Sequence, residues 1–248
     1  MVWEAPISCH RRLVARFLEH DRATWARLLR PEYHFFHSRV KTVHKELSES
    51  LAILNALGSR LEHFRHVVDL CCGKSLTSAI LAARRPSVQI TAVDIVSPDT
   101  VPHYSEAGVS SVEYLQMDIM SDQFPAALAR RAAEAGGDTA VLGVHCCGRL
   151  SMRAVELFRD MEEVRACVLM PCCGANATSA PSAMAHHYGV GLSDPEFYQK
   201  WCDYLQADLE GVPGATVHRA PVPGVLSPKR VVLTAWRAPG SPPPEQST

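Results

Sequence analysis

The chain has 248 residues, of which 47% are hydrophobic and 21% are charged. A single α/β domain commonly reaches this length, so the composition predicts one globular domain with small extensions and excludes a wholly disordered chain. The 25 lysines and arginines balance 26 acidic residues to a formal net charge of −1. This balance excludes a polycation that binds nucleic acid along its whole length, although it allows a local basic patch.

Neither a membrane helix nor a secretory signal is predicted. The longest apolar runs have the length of a strand, well short of the roughly 18 residues that a spanning helix needs. Trp3, Glu4 and His10 interrupt the N-terminus, where a signal peptide has an unbroken apolar core. The nine cysteines include three adjacent pairs, which form a poor disulfide framework. We therefore expect reduced thiols and an intracellular protein, cytoplasmic by default, with the mitochondrion as the alternative.

The first 62 residues predict an N-terminal helical extension with two amphipathic helices. Apolar residues recur at helical spacing over about 11–30, and Pro31 ends this first pattern. The second pattern runs from about 38 to 61, with a row of leucines on one face. We expect the charged residues between these leucines to point away from the core: Lys41, Lys45, Glu46 and Glu49.

Residues 63–238 alternate short apolar runs with helical patterns, which is typical of an α/β fold on a mostly parallel sheet. Parallel strands are predicted at His66–Leu70, Gln89–Val93, Ser111–Leu115, Ala140–Val144 and Cys167–Met170. Helices are predicted at Leu76–Ala83, Gln123–Ala135, Leu150–Met161 and Asp194–Leu209. Two last runs, Ala215–Arg219 and Arg230–Trp236, predict an antiparallel hairpin that completes a seven-stranded sheet. Residues 239–248 are mostly Pro, Ser and charge, and predict a disordered tail.

The turn after the first strand has the features of a nucleotide-binding corner. It consists of Cys71, Cys72, Gly73, Lys74 and Ser75. Small residues there let a ligand approach the backbone, and the following helix offers unpaired N–H groups. Asp94 ends the next strand 21 residues after Gly73, close to the spacing of an acid that binds ribose hydroxyls. Asp118 follows the third strand, where a carboxylate can accept a hydrogen bond from an adenine amino group. Together these positions predict an adenosine ligand, although each acid alone also fits an ordinary turn.

The same residues resemble a known family. The run Asp69-Leu70-Cys71-Cys72-Gly73, with Asp94 and Asp118, is similar to the motifs of class I S-adenosylmethionine-dependent methyltransferases. The resemblance implies a Rossmann-like fold, an antiparallel strand at the end of the sheet, and S-adenosylmethionine as cofactor. It also implies which residues hold that cofactor: Asp94 the ribose, Asp118 and Ile119 the adenine, and Asp69 with the Cys71–Ser75 turn the methionine portion. Ile95 belongs to the same cofactor-binding set.

Two later motifs narrow the resemblance. Val144-His145-Cys146-Cys147-Gly148 follows the fourth strand, and Met170-Pro171-Cys172-Cys173-Gly174 follows the fifth. Both are similar to motifs of a subgroup that includes eukaryotic tRNA 2′-O-methyltransferases, so the resemblance implies tRNA or ribosomal RNA as the acceptor. We expect His145 to lie beside the cofactor and to act as a base or to orient the acceptor. Pro171 and Cys172 would form the opposite wall.

Three alternatives stay open. Methyltransferases commonly carry glycine where this chain has Cys71 and Ser75, and a glycine with positive φ is difficult to replace without strain. The chain could therefore be an inactive scaffold in an RNA–protein assembly such as a ribosome or its assembly intermediate. The near-zero net charge favours a methyltransferase of small molecules or proteins. The cysteine pairs could ligate zinc or an iron–sulfur centre, but no Cys-x-x-Cys spacing is present, so we expect no metal.

Overall fold

A computed structural model of the chain describes residues 15, 19, 21–28, 40–74, 76–100, 111–172 and 194–238. Strands lie at β1 (His66–Leu70), β2 (Gln89–Asp94), β3 (Val112–Gln116), β4 (Thr139–Val144), β5 (Val164–Met170), β6 (Ala215–Pro221) and β7 (Val231–Arg237). Helices lie at α1 (Arg22–Leu28), α2 (Val40–Leu57), α3 (Leu76–Arg84), α4 (Phe124–Ala135), α5 (Arg149–Asp160) and α6 (Asp194–Glu210), with 3-10 turns at Gly58–His63 and Pro98–Thr100. Among these helices, none is both long enough and apolar enough to cross a membrane. The predicted tail, residues 239–248, lies outside the described residues.

All seven strands belong to one sheet, in the order β3-β2-β1-β4-β5-β7-β6. Strands β1 to β5 pair in parallel, whereas β7 is antiparallel to both β5 and β6. The predicted Rossmann-like sheet with an antiparallel C-terminal hairpin is therefore confirmed. The chain builds outwards from β1 to β3 and then returns to the other side of β1 with β4. In open sheets of this kind, ligands bind beyond the carboxyl ends of the strands at such a switch point.

The bounds of the strands follow the apolar runs of the sequence. β1 begins and ends at the predicted residues, His66 and Leu70. β5 begins earlier than predicted, at Val164 instead of Cys167. Arg165 interrupts the apolar run there, but its neighbours Val164 and Ala166 are buried, so the strand continues through it.

Two helical layers cover the sheet, because alternate residues of each strand point to opposite faces. On one face, α2 and α3 bury Leu51 and Ile80 against the sheet. On the other face, α4, α5 and α6 bury side chains that include Phe158 and Trp201, both 0% exposed. Full burial of a large apolar side chain stabilises the fold by roughly 1.5–3 kcal/mol.

A buried histidine joins the three central strands. His66 on β1 is 1% exposed, and its two ring nitrogens contact hydroxyls on the neighbouring strands. Nε2 lies 2.8 Å from Oγ1 of Thr91 on β2, and Nδ1 lies 3.2 Å from Oγ1 of Thr139 on β4. Burial, helped by the charge of Arg131, lowers the pKa of His66 to about 4. The imidazole is therefore neutral near pH 7.

One prediction for α2 is wrong. Glu49, expected to point away from the core, is 0% exposed. The reason is that α2 is enclosed on more than its leucine face. Ser48 Oγ accepts a hydrogen bond from Leu226 N–H, and Thr77 Oγ1 donates to Ser50 Oγ, so other parts of the chain pack beside Glu49. Lys45 is only partly exposed, at 40% of its side chain.

Candidate active site

The backbone is strained on both sides of the switch point. Cys71, just after β1, has φ 53°, and His145, just after β4, has φ 62°. Within the described ranges these are the two non-glycine residues with positive φ. Left-handed backbone is costly for residues with a Cβ and is found preferentially at functional sites. The strain expected at Cys71 is therefore present, and a second strained residue lies opposite it.

Asp94 is held against the turn after β1. Gly73 N–H donates to Asp94 Oδ2 over 2.7 Å, and Val96 N–H donates to Oδ1 over 3.2 Å. Gly73 itself has φ 52°, and a Cβ built there would meet nothing within 4 Å, so space is open beside the turn. Ile95 is 67% exposed, which is unusual for an apolar side chain of its size. An acid, an open glycine turn and an apolar surface suit the ribose and adenine of a nucleoside.

Asp118 lies close to this corner. Met117 N–H donates to the backbone oxygen of Asp94 over 2.9 Å. This bond brings the loop that follows β3 beside the end of β2. Asp118 Oδ1 accepts a hydrogen bond from Met120 N–H over 2.8 Å. The side chain of Ile119 is 2% exposed, and its carbonyl oxygen accepts a hydrogen bond from Arg153 Nε over 2.9 Å. Asp118 and Ile119, the residues predicted to contact the adenine, are therefore both fixed by hydrogen bonds within the protein.

The remaining predicted cofactor residues differ in their surroundings. Asp69 is 2% exposed and accepts a hydrogen bond from Ser78 Oγ over 2.9 Å, so it ties β1 to α3. Cys72 N–H donates to Val93 O over 2.9 Å, and Lys74 lies half-buried in the same turn. Ser75 lies outside the described residues. A direct role of these residues toward the cofactor stays a prediction.

His145 is part of a cluster that the sequence pattern does not predict. Its Nε2 lies 2.7 Å from Glu49 Oε2 and 3.1 Å from Lys45 Nζ. Lys45 Nζ is also 2.8 Å from Glu49 Oε1. Burial by itself raises the pKa of Glu49, but hydrogen bonds and charges from His145 and Lys45 outweigh it and hold that pKa below its ordinary value. Glu49 is therefore a buried anion beside the candidate catalytic histidine.

The predicted opposite wall lies next to His145. His145 N–H donates to Met170 O over 3.0 Å, and Sγ of Cys172 lies 3.6 Å from His145 O. Pro171 between them is buried. The three predicted catalytic residues, His145, Pro171 and Cys172, are therefore brought together at the carboxyl ends of β4 and β5.

Cys147 and Cys172 form a disulfide, with their Cα atoms 5.8 Å apart. The expectation that every cysteine is a reduced thiol is wrong for this pair. The reason is the sheet register: Val144 of β4 pairs with Met170 of β5, so the turns that follow these adjacent parallel strands meet. Adjacent cysteines in sequence do not bridge each other here, but cysteines of neighbouring turns do.

Two free thiols near this disulfide, Cys146 and Cys72, have raised pKa values. Cys146 is 0% exposed, and a hydrogen bond with Cys71, together with burial, raises its pKa well above the ordinary value. Burial also raises the pKa of Cys72. Across the part of the chain that the structure describes, no group of three His, Cys, Asp or Glu side chains is arranged to hold a metal ion.

The model of a family described as a methyltransferase domain matches residues 40–179. No curated protein matches the sequence. Among solved structures, the chain is similar to an S-adenosylhomocysteine-bound methyltransferase of Podospora anserina, PaMTH1, with TM-score 0.51 and 14% identity over 96% of this chain and 100% of that one.

Two further structures are similar. A putative caffeoyl-CoA O-methyltransferase from Staphylococcus aureus has TM-score 0.53 and 9% identity, over 92% of this chain and 99% of that one. The apo form of SibL, an S-adenosylmethionine-dependent methyltransferase, has TM-score 0.50 and 19% identity over 95% of this chain. The chain spans only 63% of the length of SibL. At these identities, the likeness concerns the fold.

Proposed function

The chain belongs to the methyltransferase-domain family, and we propose that it methylates RNA, either tRNA or ribosomal RNA. Family and fold together make it an S-adenosylmethionine-dependent methyltransferase. The acceptor is the part that we propose. It rests on the chemistry of the residues at the carboxyl ends of β1, β4 and β5.

The residues beside β1 and β2 fit the methyl donor. Asp94 offers carboxylate oxygens to the ribose hydroxyls, Ile95 offers an apolar surface, and the open turn at Gly73 leaves room for the methionine portion. When bound, S-adenosylmethionine supplies the methyl group, so that the acceptor oxygen gains a bond to carbon while the electron pair of the broken carbon–sulfur bond stays on sulfur. The proton that the acceptor hydroxyl loses needs a base in the protein.

The position of His145 is the observation that carries the proposal. It follows β4 at the switch point, beside the turn at Cys71 that follows the neighbouring strand β1, and 28% of its side chain is exposed. An imidazole titrates near neutral pH and can take the proton of a ribose hydroxyl as the new bond forms. This arrangement supports a hydroxyl acceptor such as the ribose of RNA.

Cations beside the same edge support an anionic acceptor. Arg149 is exposed at the first residue of α5, directly after the His145 turn. Lys74 lies in the turn after β1, and Lys45 exposes 40% of its side chain beside His145. Lysine and arginine contact the phosphates of nucleic acids, and the binding they give weakens as salt rises. The near-zero net charge of the whole chain does not oppose such a local patch.

The proposal is tested with labelled methyl transfer into separate pools of tRNA, ribosomal RNA, protein and small metabolites. We expect label in an RNA pool, recovered after nuclease digestion as a methylated ribose. His145→Ala should lower the rate by about 10²- to 10⁴-fold, the usual contribution of general acid–base catalysis. Asp94→Ala is the cofactor control, and should lose S-adenosylmethionine binding in calorimetry while His145→Ala keeps it.

Label confined to protein or small molecules would contradict the RNA proposal and favour that alternative acceptor. A folded wild-type chain that binds no S-adenosylmethionine would contradict the whole assignment and favour the inactive scaffold.

A further inference from the structure

We infer that Glu49 is a positioning residue, which fixes the His145 imidazole so that Nδ1 carries the lone pair that accepts the acceptor's proton. The inference rests on the proposed function, because it gives a role to His145 in that reaction. Glu49 lies on α2, before the strand and turns that carry the cofactor motifs, and helical periodicity alone places it on the solvent side.

The contacts around Nε2 determine the tautomer. Glu49 Oε2 lies 2.7 Å from Nε2, and Lys45 Nζ lies 3.1 Å from the same atom. A carboxylate only accepts hydrogen bonds and an ammonium only donates them, so Nε2 cannot serve both neighbours in one neutral tautomer. The carboxylate is closer, and a lone pair facing it would be repelled. Nε2 therefore carries the hydrogen and donates it to Glu49, and Nδ1 carries the lone pair.

The state of Nδ1 agrees with this assignment. Among the described residues, Nδ1 is buried and has no hydrogen-bond partner, although 28% of the imidazole side chain is exposed. An unpaired lone pair costs free energy when it is shielded from water, and such atoms in a native structure call for a functional account. Nδ1 is shielded in the free protein, so an acceptor hydroxyl that supplies the missing partner must displace the groups that cover it.

The charges of the cluster favour proton transfer to His145. Before transfer, Lys45 and Glu49 form a neutral pair beside a neutral imidazole. After the hydroxyl proton moves to Nδ1, the imidazole is a cation whose Nε2–H faces a carboxylate that is 0% exposed. The interaction of the two charges is strong there because the buried carboxylate has little water around it. Lys45 keeps Glu49 ionised while the imidazole is neutral.

A double-mutant cycle tests the inference. Single-turnover methyl transfer is measured for wild type, Glu49→Gln, His145→Ala and the double variant. The acceptor is the RNA pool that gains label in the preceding experiment. Glu49→Gln has nearly the same shape without the charge, so we expect a rate loss of at least about tenfold with unchanged affinity for S-adenosylmethionine. If Glu49 acts only through His145, then Glu49→Gln should change the rate of His145→Ala by less than about twofold.

Glu113→Gln is the matched control. Glu113 is also an ion-paired glutamate, bound to Arg131 on the β3 side of the sheet, and its variant should keep the wild-type rate. Losses that multiply in the double variant would overturn the inference. So would a loss in Glu49→Gln that comes with weaker donor binding and a lower unfolding temperature, since that pattern indicates a structural role.

A readout without turnover separates this inference from the proposed function. Nitrogen-15 NMR of labelled histidine reports which ring nitrogen of His145 is protonated, with no acceptor present. We expect Nε2–H in wild type. In Glu49→Leu, Lys45 is the polar neighbour of Nε2 left among the described residues, and it favours Nδ1–H instead. A wild-type Nδ1–H tautomer would overturn the inference even if RNA is methylated, whereas the expected tautomers without RNA methylation would leave Glu49 as the positioning residue and remove RNA as acceptor.

Discussion

Cys71 and His145 show how single residues can tolerate an unfavourable backbone. Both have left-handed φ values, and both immediately follow neighbouring central strands. Cys146, the residue after His145, donates its thiol hydrogen to the carbonyl oxygen of Leu70, the residue before Cys71, over 3.5 Å, so the two strained turns are joined. Such strain persists only when surrounding contacts fix the conformation.

The strained backbone at Cys71 predicts that a glycine variant at this position is more stable than a valine variant. Glycine adopts this φ freely, so Cys71→Gly should change the free energy of unfolding by no more than about 1 kcal/mol, since relief of strain offsets the lost side chain. Cys71→Val places a β-branched residue at the same φ and should destabilise the fold by at least about 2 kcal/mol. Urea unfolding of the two variants measures this difference. A valine variant as stable as the glycine variant would show that the turn is not strained.

The sequence predicts Asp94, the Cys71–Ser75 turn and His145 as site residues, and it does not predict Glu49. Asp94 and the Cys71–Ser75 turn could be found because their spacing follows from the βαβ connection, which is local in the chain. Glu49 could not be found in this way, since helical periodicity assigns one buried face and α2 is enclosed on others as well. A signal was present: Ser48 and Ser50 flank Glu49, and small polar residues let neighbouring elements approach a helix closely.

At the scale of elements, α2 connects the core to the active site. Its leucine face packs on the sheet beside β4, β5 and β7, while Lys45 and Glu49 reach the turn after β4. The position of Glu49 therefore depends on how firmly the leucine face is packed. The helical prediction for this segment gave the packing face correctly and missed the contact with the turn, because that contact depends on tertiary structure.

Leu51 measures how much α2 contributes to stability. It is 1% exposed, so Leu51→Ala removes buried methyl groups and leaves a cavity. We expect a loss of about 2–5 kcal/mol in the free energy of unfolding. Asn55→Ala, at an exposed position of the same helix, is the control and should stay within about 0.5 kcal/mol of wild type. If chemical denaturation shows equal losses of unfolding free energy in the two variants, the packing of the leucine face is contradicted.

At the scale of the whole molecule, His66 couples the stability of the sheet to pH. It joins β1 to β2 and β4 through Thr91 and Thr139, and it is buried in its neutral form. Protonation would place an uncompensated charge among three central strands. The sequence showed a histidine at the start of a strand, but its burial depends on how the neighbouring strands align.

The pH dependence has a definite sign. The folded pKa of His66 is about 4 and the unfolded value is near its ordinary 6.5, so the unfolded chain binds more protons between these values. The contribution of neutral His66 to the free energy of unfolding is fully present above about pH 6.5. It decreases as the pH falls, and roughly 3 kcal/mol is lost by about pH 4. His66→Gln keeps a polar partner for the threonines without titrating. Urea unfolding should show that wild type loses roughly 3 kcal/mol more than this variant over that range, and parallel curves would contradict the prediction.

The place of β7 in the sheet affects how the chain folds as it is synthesised. β7 lies between β5 and β6, although it follows both in the chain. While a ribosome is still translating the segment after β6, β5 therefore has an unpaired edge that carries the turn opposite His145. An open edge of a hydrophobic strand can pair with another chain. The nascent protein therefore keeps an unpaired hydrophobic strand edge, next to the turn that contacts His145, until β7 emerges and pairs with β5.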